Sequence, residues 1–233
     1  MNIKTYLIVP SSNSHTVSLE LDHISEWAQC NNLMLNTAKS MEMNIHKPGV
    51  KLGNLSVPQP TAGVTRCSSL KILGVTVTDT LSFDLHISNV VARCAQTGYA
   101  LRTLRSHGLS GPALWNVTRA TLISKLMYAS PAWFGFLSES CKARCQGVIQ
   151  KLKRSGYLGN DFESFTTLCE VADAAMFSAI LCSRNHVLHQ LLPPVKNCDY
   201  NLRPRAHTRE LPPANTKTVK RNFIYRMLYL NMY

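Results

Sequence analysis

The sequence predicts an α+β chain, with a short mixed front part and a longer helical rear part. Two observations carry this. The β-type runs, such as Leu70-Lys71-Ile72-Leu73-Gly74-Val75-Thr76-Val77, all fall before Thr80, and from about His86 onward apolar residues recur at helical spacing. A third observation concerns size: 233 residues, 45% hydrophobic and 16% charged, suffice for a packed core in one or two domains.

In chain order, Tyr6-Leu7-Ile8-Val9 reads as a strand at the very start. Natural domains rarely open on a buried strand, so a piece of something larger is expected, with an exposed sheet edge. Ser14 or Thr16 is placed to cap a helix whose apolar face is Val17, Leu21, Ile24 and Ala28, stopped by Asn31-Asn32 in a left-handed turn. Met41, Met43 and Ile45 then alternate with polar residues, as strands do. A loop with Pro58 and Pro60 leads to the Leu70 run, and Thr78-Asp79-Thr80 turns the chain. Asp84 is expected to cap the next helix, whose core face is Ile87, Val90, Val91, Cys94 and Leu101.

A second long helix starts at Ser110-Gly111-Pro112 and buries Leu122, Ile123, Leu126 and Met127. After the aromatic patch Tyr128, Trp133, Phe134 and Phe136, a third buries Cys145, Val148, Ile149 and Leu152. Ser164 to Leu192 reads as helical, with Leu168, Val171, Ala172, Ala175, Met176 and Ala179 facing inward and Pro193-Pro194 ending it. Thr216 caps a final helix along Val219, Phe223, Met227 and Leu230. These elements divide the chain into segments 1–80, 81–157, 158–194 and 195–233.

The net charge of +12 calls for a polyanionic partner, nucleic acid first and an anionic membrane surface second. The candidate contacts are Arg93, Arg102 and Arg105 on the first rear helix, Arg119 and Lys125 on the second, and Lys142, Arg144, Lys151, Lys153 and Arg154 on the third. Successive helices sharing one sign suit phosphate binding, and a set of merely solvated faces is the alternative. No apolar run approaches ~18 residues and no signal-peptide pattern opens the chain, so no membrane span is expected and the protein is expected to be intracellular, nuclear or cytoplasmic, with no membrane as its partner. The eight cysteines lack paired spacings and read as reduced core residues. Cys182, His186, His189 and Cys198 are of zinc-binding type, but their spacing fits no common zinc module. No small-molecule substrate is expected.

The ordered set Tyr6-Leu7-Ile8-Val9, Leu21-Asp22-His23-Ile24-Ser25-Glu26-Trp27, Asn31 to Ser40, Leu73-Gly74-Val75 and Leu81 to His86 resembles the C-terminal palm and thumb of non-LTR retrotransposon reverse transcriptases. The likeness is to long interspersed elements of the Jockey and chicken-repeat type, and it extends through Leu109-Ser110, Tyr128 to Gly135 and Leu202 to Arg226. The resemblance implies RNA-directed DNA polymerase ancestry, an RNA or DNA template-primer as partner, and a thumb that tracks the duplex. It also implies a phosphate-proximal role for Lys39, whose alternative is a solvated turn lysine, and a primer-gripping hairpin at Gly74, whose alternative is a plain bulge. One departure is decisive for chemistry. Where the family has Tyr-Ala-Asp-Asp holding two magnesium ions, this chain has Met1-Asn2-Ile3-Lys4. Two-metal phosphoryl transfer needs clustered carboxylates, so no cofactor and no polymerase activity are expected of this chain, only sequence-blind nucleic-acid binding.

Overall fold

The computed structural model describes residues 4–49, 59–61, 63–196 and 207–230. The readings at Met1 to Ile3, Pro58, Cys198 and Leu202 to Arg205 lie outside them. The chain divides into two compact units, Met1–Leu81 and Ser82–Tyr233.

In the first unit a 3-10 turn, Ser11–Thr16, runs directly into α1 (Val17–Cys30). Thr16 does not cap it. The preceding turn already delivers Thr16 at φ −85°, ψ −7°, and its hydroxyl donates back to the Asn13 carbonyl at 2.9 Å instead of accepting from the helix. The left-handed stop forms as expected: Asn32 sits at φ 55° and the Leu33 N–H donates to the Ala28 carbonyl at 2.8 Å. The opening strand does not form. Residues 4–10 are irregular and Ile8 is 87% exposed, because no described neighbour supplies a ladder for their backbone groups.

The strands are short. β1 (Met41–Glu42) pairs parallel with β2 (Thr65–Arg66), and β3 (Ser69–Ile72) pairs antiparallel with β4 (Val75–Thr78). The alternation from Met41 to Ile45 holds only at Met43, which is half-buried, and the strand ends at Glu42. Met41 and Ile45 are more than half exposed, while Glu42 and His46 turn inward. Polar partners explain the inward turn: the Arg66 Nε donates to the Glu42 carboxylate at 2.7 Å, the Thr61 N–H donates to its other oxygen at 3.2 Å, and His46 Nε2 lies 3.7 Å from Asp79 Oδ2. Burial raises the Glu42 pKa, but the hydrogen bonds from Thr61 and Arg66 outweigh it and hold the carboxyl below its usual range.

Among its described residues the second unit is built of helices, with one isolated antiparallel bridge between Val195 and Arg209: α2 (Asp84–Ser106), α3 (Gly111–Thr118), a π-helical insertion (Arg119–Ile123) continuing into α4 (Ser124–Met127), α5 (Ser130–Trp133), α6 (Glu139–Arg154), α7 (Phe165–Cys182), α8 (Lys217–Arg221) and α9 (Phe223–Tyr229). Asp84 is not the cap of α2 but its first residue, and the Ser82 hydroxyl accepts its N–H at 3.2 Å. The core faces of α2, α4 and α6 are as the spacing predicts, with Ile87, Cys94, Leu101, Leu122, Leu126, Cys145 and Ile149 buried. The aromatic patch splits: Trp133 is fully buried and stacks on Phe165 at 6.3 Å, whereas Tyr128 is 54% exposed.

The helix α7 departs most from expectation. Its inward face is Phe165, Cys169, Asp173, Phe177 and Ile180, so Val171, Ala175, Met176 and Ala179 point out, and the helix ends at Cys182. Partners set this rotation: Phe165 meets Trp133, Cys169 meets Met127 at 3.9 Å, Phe177 meets Phe223 at 6.5 Å, and Asp173 receives a hydrogen bond from Arg226 Nη1 at 2.7 Å. By length and composition α7 is also apolar enough to cross a membrane, alone among the described helices, which corrects the reading that no segment reaches that threshold. Glu170 and Asp173 break its apolar run without lowering its average far. The final helix is two, α8 capped by Thr216 and α9 capped by Asn222, whose side chain accepts from the Ile224 N–H at 2.9 Å.

Candidate nucleic-acid interface

The helices α2 and α6 run parallel, as their two ends show. At the start, Asp84 accepts from the Cys141 thiol at 2.8 Å and from the Ser138 hydroxyl at 3.4 Å. At the end, the Arg105 Nη1 donates to the Ser155 carbonyl at 2.6 Å and its guanidinium lies 4.7 Å from the centre of the Tyr157 ring. The Asp84 carboxylate thus sits at two helix N-termini at once, where partial positive charge gathers. Its hydrogen bond from Cys141, then that from Ser82, hold its carboxyl below the usual range. Burial, and then Asp84, push the Cys141 thiol up.

The sequence candidates separate into three groups. Arg105, Arg119 and Lys153 hold the loop that follows α6: Arg105 as above, Arg119 over the Phe162 ring at 5.3 Å, and Lys153 to the Asn160 carbonyl at 3.0 Å. Trp115 joins them through a hydrogen bond to the Gly156 carbonyl at 3.3 Å. Lys142 pairs with Glu139 at 2.8 Å, Lys125 donates to Thr97 at 2.9 Å, and Arg154 turns back to the Gln150 carbonyl of its own helix at 3.4 Å. Among the described residues, Arg93, Arg102 and Lys151 are exposed with no side-chain partner, and Arg144 holds only the Ser88 hydroxyl, at 3.1 Å.

Helical periodicity then decides which of these share a surface. Arg102 follows Asp84 by 18 residues, five turns of about 3.6 residues, and so lies on the α6-facing side of α2. Arg93 follows Asp84 by 9, two and a half turns, and lies on the opposite side. On α6, Arg144 reaches Ser88 of α2, and Lys151 is two turns further along the same face. Arg102, Arg144 and Lys151 therefore flank one groove, while the ten candidates as a set do not form a single face. On α6 the half-buried Val148 shares the side of Cys141 that faces α2, whereas Gly147 lies in the exposed face with Ala143, Gln150 and Arg154.

Of the remaining candidates, Lys39 is exposed at the end of a 3-10 turn, Thr37–Lys39, that Asn36 caps by accepting the Lys39 N–H at 3.0 Å, so Asn36 is a turn former. Gly74 is not a bulge. It is the second residue of a two-residue hairpin loop between β3 and β4, with Leu73 at φ 46° and Gly74 at φ 92°, the signs a type I′ turn requires.

Among the described residues, no cluster of three or more His, Cys, Asp or Glu is placed to hold a metal ion. His189 faces the Ile180 carbonyl at 2.7 Å through Nδ1 and Arg209 at 3.5 Å through Nε2. The positions that resemble the family's magnesium ligands carry Ile3 and Lys4, a donor set that does not fit a divalent pair. The described cysteines are free thiols, and burial pushes Cys94 up to about 11 and Cys145 and Cys169 up to about 12. Compared with known proteins, the chain matches no protein-family model, no curated protein and no solved structure.

The parallel α2–α6 pair and the buried Asp173–Arg226 pair escape sequence reasoning. The first has a faint signal in Ser82 and Ser138, each two or three residues ahead of the helix position it supports. The second has none, since a lone acid in an apolar helix reads as outward-facing.

Proposed function

We propose that the chain is a non-catalytic piece of a retrotransposon-type RNA-directed DNA polymerase whose helical unit binds nucleic acid through phosphate contacts. The resemblance named above supplies the ancestry and the template-primer class of partner. One observation carries the binding: between Ser82, where the helical unit begins, and Asn160 ten Lys and Arg residues accompany two acids, Asp84 and Glu139. Such an excess of positive charge attracts a polyanion without reading its sequence, through counterion release. The absence of carboxylates at Ile3 and Lys4 removes polymerisation from the reading. Binding of a labelled mixed-sequence oligonucleotide, titrated across salt concentrations, tests it. An affinity that falls with salt and is indifferent to sequence is expected, and a salt-insensitive affinity would sink the proposal.

A second reading, a protein-interaction module, draws on the first unit. There Ile8 is 87%, Met34 95% and Ile45 56% exposed, while Ala28 and Val77 are the buried apolar residues among those described. Concentration-dependent self-association or stoichiometric capture of one protein with no loss at high salt would favour it.

A further inference from the structure

We propose that the outward face of α1, along Leu19, Glu26 and Trp27, docks a basic amphipathic helix of a protein partner. This deepens the protein-interaction reading of the first unit, on which it rests, by naming one face and one sign of partner, and it is independent of the phosphate contacts proposed for the second unit.

Periodicity defines the face. Ala28 is the buried residue of α1, and Leu19 precedes it by nine residues, two and a half turns, so Leu19 lies on the opposite side. His23 and Glu26 follow Leu19 by four and seven residues and continue the same line. Trp27 and Glu20, two turns apart, flank that line on one side, and Asp22 flanks it on the other. Leu19 is 59% and Trp27 50% exposed. A partner helix laid along this face meets anchors at the spacing its own turns repeat.

Charge selects the occupant. From Thr5 to Ala38 the sequence holds three acids, Glu20, Asp22 and Glu26, and no Lys or Arg, in a chain of net charge +12. All three acids fall on or beside the exposed apolar line. Glu20 lies 3.7 Å from His23, whereas Asp22 and Glu26 are exposed and, among the described residues, have no side-chain partner. These carboxylates repel a phosphate chain and an anionic membrane alike, and a polypeptide bearing Lys or Arg supplies the complementary charge. A second copy of the same face would set carboxylate against carboxylate, which disfavours a symmetric dimer here. The apolar residues choose an amphipathic helix over a purely polar basic tail, because Leu19 and Trp27 need an apolar stripe to cover them. Tryptophan is also the side chain on which interfaces concentrate binding energy, and its ring face receives a Lys or Arg cation best.

The experiment is fluorescence anisotropy of a labelled amphipathic helical peptide of Leu and Lys with the full chain. Net charge alone predicts that a chain at +12 repels this probe, so binding at all requires a local acidic face. E20Q/D22N/E26Q, with its circular dichroism unchanged, is expected to weaken binding about 10-fold. Trp27→Ala is expected to weaken it about 5–10-fold. E163Q/E170Q, which removes two exposed acids of the second unit, is expected to bind like the parent. The peptide should also shield the parent's fluorescence from acrylamide and leave the quenching of W27F unchanged, a readout that a merely structural role for the acids would not move. If the parent binds but the triple variant binds equally well, or if E163Q/E170Q takes the loss, the α1 face falls and the interaction reading stands. If the parent binds no basic peptide yet self-associates with concentration, the face falls and the wider reading again survives. If it does neither, both fall.

Discussion

Replacing Arg226 by methionine isolates the most exposed weakness of the helical unit. Asp173 is 2% exposed, and Arg226 Nη1 at 2.7 Å is its single hydrogen-bond partner among the described residues. Its second oxygen, and the Nε and Nη2 atoms of Arg226, are already buried without one. Methionine would keep the packing against Phe134, whose ring lies 5.4 Å from the guanidinium, and would strand a carboxylate in the core. Breaking a buried pair in this way costs about 3–5 kcal/mol. At roughly 2–4 °C per kcal/mol for a unit of this size, the melting temperature should drop by about 6–20 °C. D173L/R226M, which removes both charges at similar volume, should recover most of the loss. Thermal unfolding followed by circular dichroism, with Trp fluorescence as a second probe, measures all three proteins. A loss below about 1 kcal/mol for R226M, or a double variant as damaged as the single one, would refute the claim that the carboxylate depends on its partner.

The remaining expectations are smaller. Asp84 has a folded pKa below its unfolded value, so its contribution is complete above the unfolded pKa and is lost as pH falls through the folded one. The urea midpoints of the parent and D84N should therefore differ at neutral pH and converge in acid, and a constant gap down to pH 2 would contradict the assignment. The thiols of Cys145 and Cys169, pushed up to about 12, should resist alkylation at pH 8 in the folded protein, while exposed Cys30 and Cys182 react, as mass spectrometry after iodoacetamide treatment reports. Leu73→Asn should stabilise the β3–β4 hairpin by up to about 1 kcal/mol, read from the melting temperature, because asparagine accepts φ 46° more readily than leucine. Gly135→Ala should destabilise by about 1–3 kcal/mol in the same assay, since the new methyl would collide with the Arg221 carbonyl and the Arg226 side chain.

Where a helix buries an ordinary aliphatic stripe, as α2 does with Ile87, Cys94 and Leu101, spacing alone places its face, because the hydrophobic effect follows apolar area. The same reasoning misplaced α7, whose orientation depends on a charged partner 53 residues away. It misplaced Met41 and Ile45 for a related reason. Glu42 found Arg66 and Thr61, and that satisfied carboxylate turns Met41 outward in the two-residue strand, while Met43 beyond it stays half-buried. The candidate interface was legible as a composition and not as a surface. The spacing that separates Arg93 from Arg102 is visible in the chain, yet only the Asp84, Ser88 and Arg105 contacts reveal which side of α2 faces α6. The bond of Lys153 to the Asn160 carbonyl, the aromatic contact of Arg119 and the loop clamp of Arg105 carry no local signature at all.

The parallel course of α2 and α6 bears on how this protein reaches its folded state. An up-and-down helical pair can zip from its connecting turn, because its first contacts join residues close in sequence. Here the tie at one end spans 57 residues and that at the other 50, so no short closure brings the pair together. The intervening helices must carry the chain back along α2 before α6 can dock, and the loss of chain freedom precedes the contacts that compensate it. Refolding is accordingly expected to be slower than helix content alone suggests, with its barrier set by placing the return path from α3 to α5.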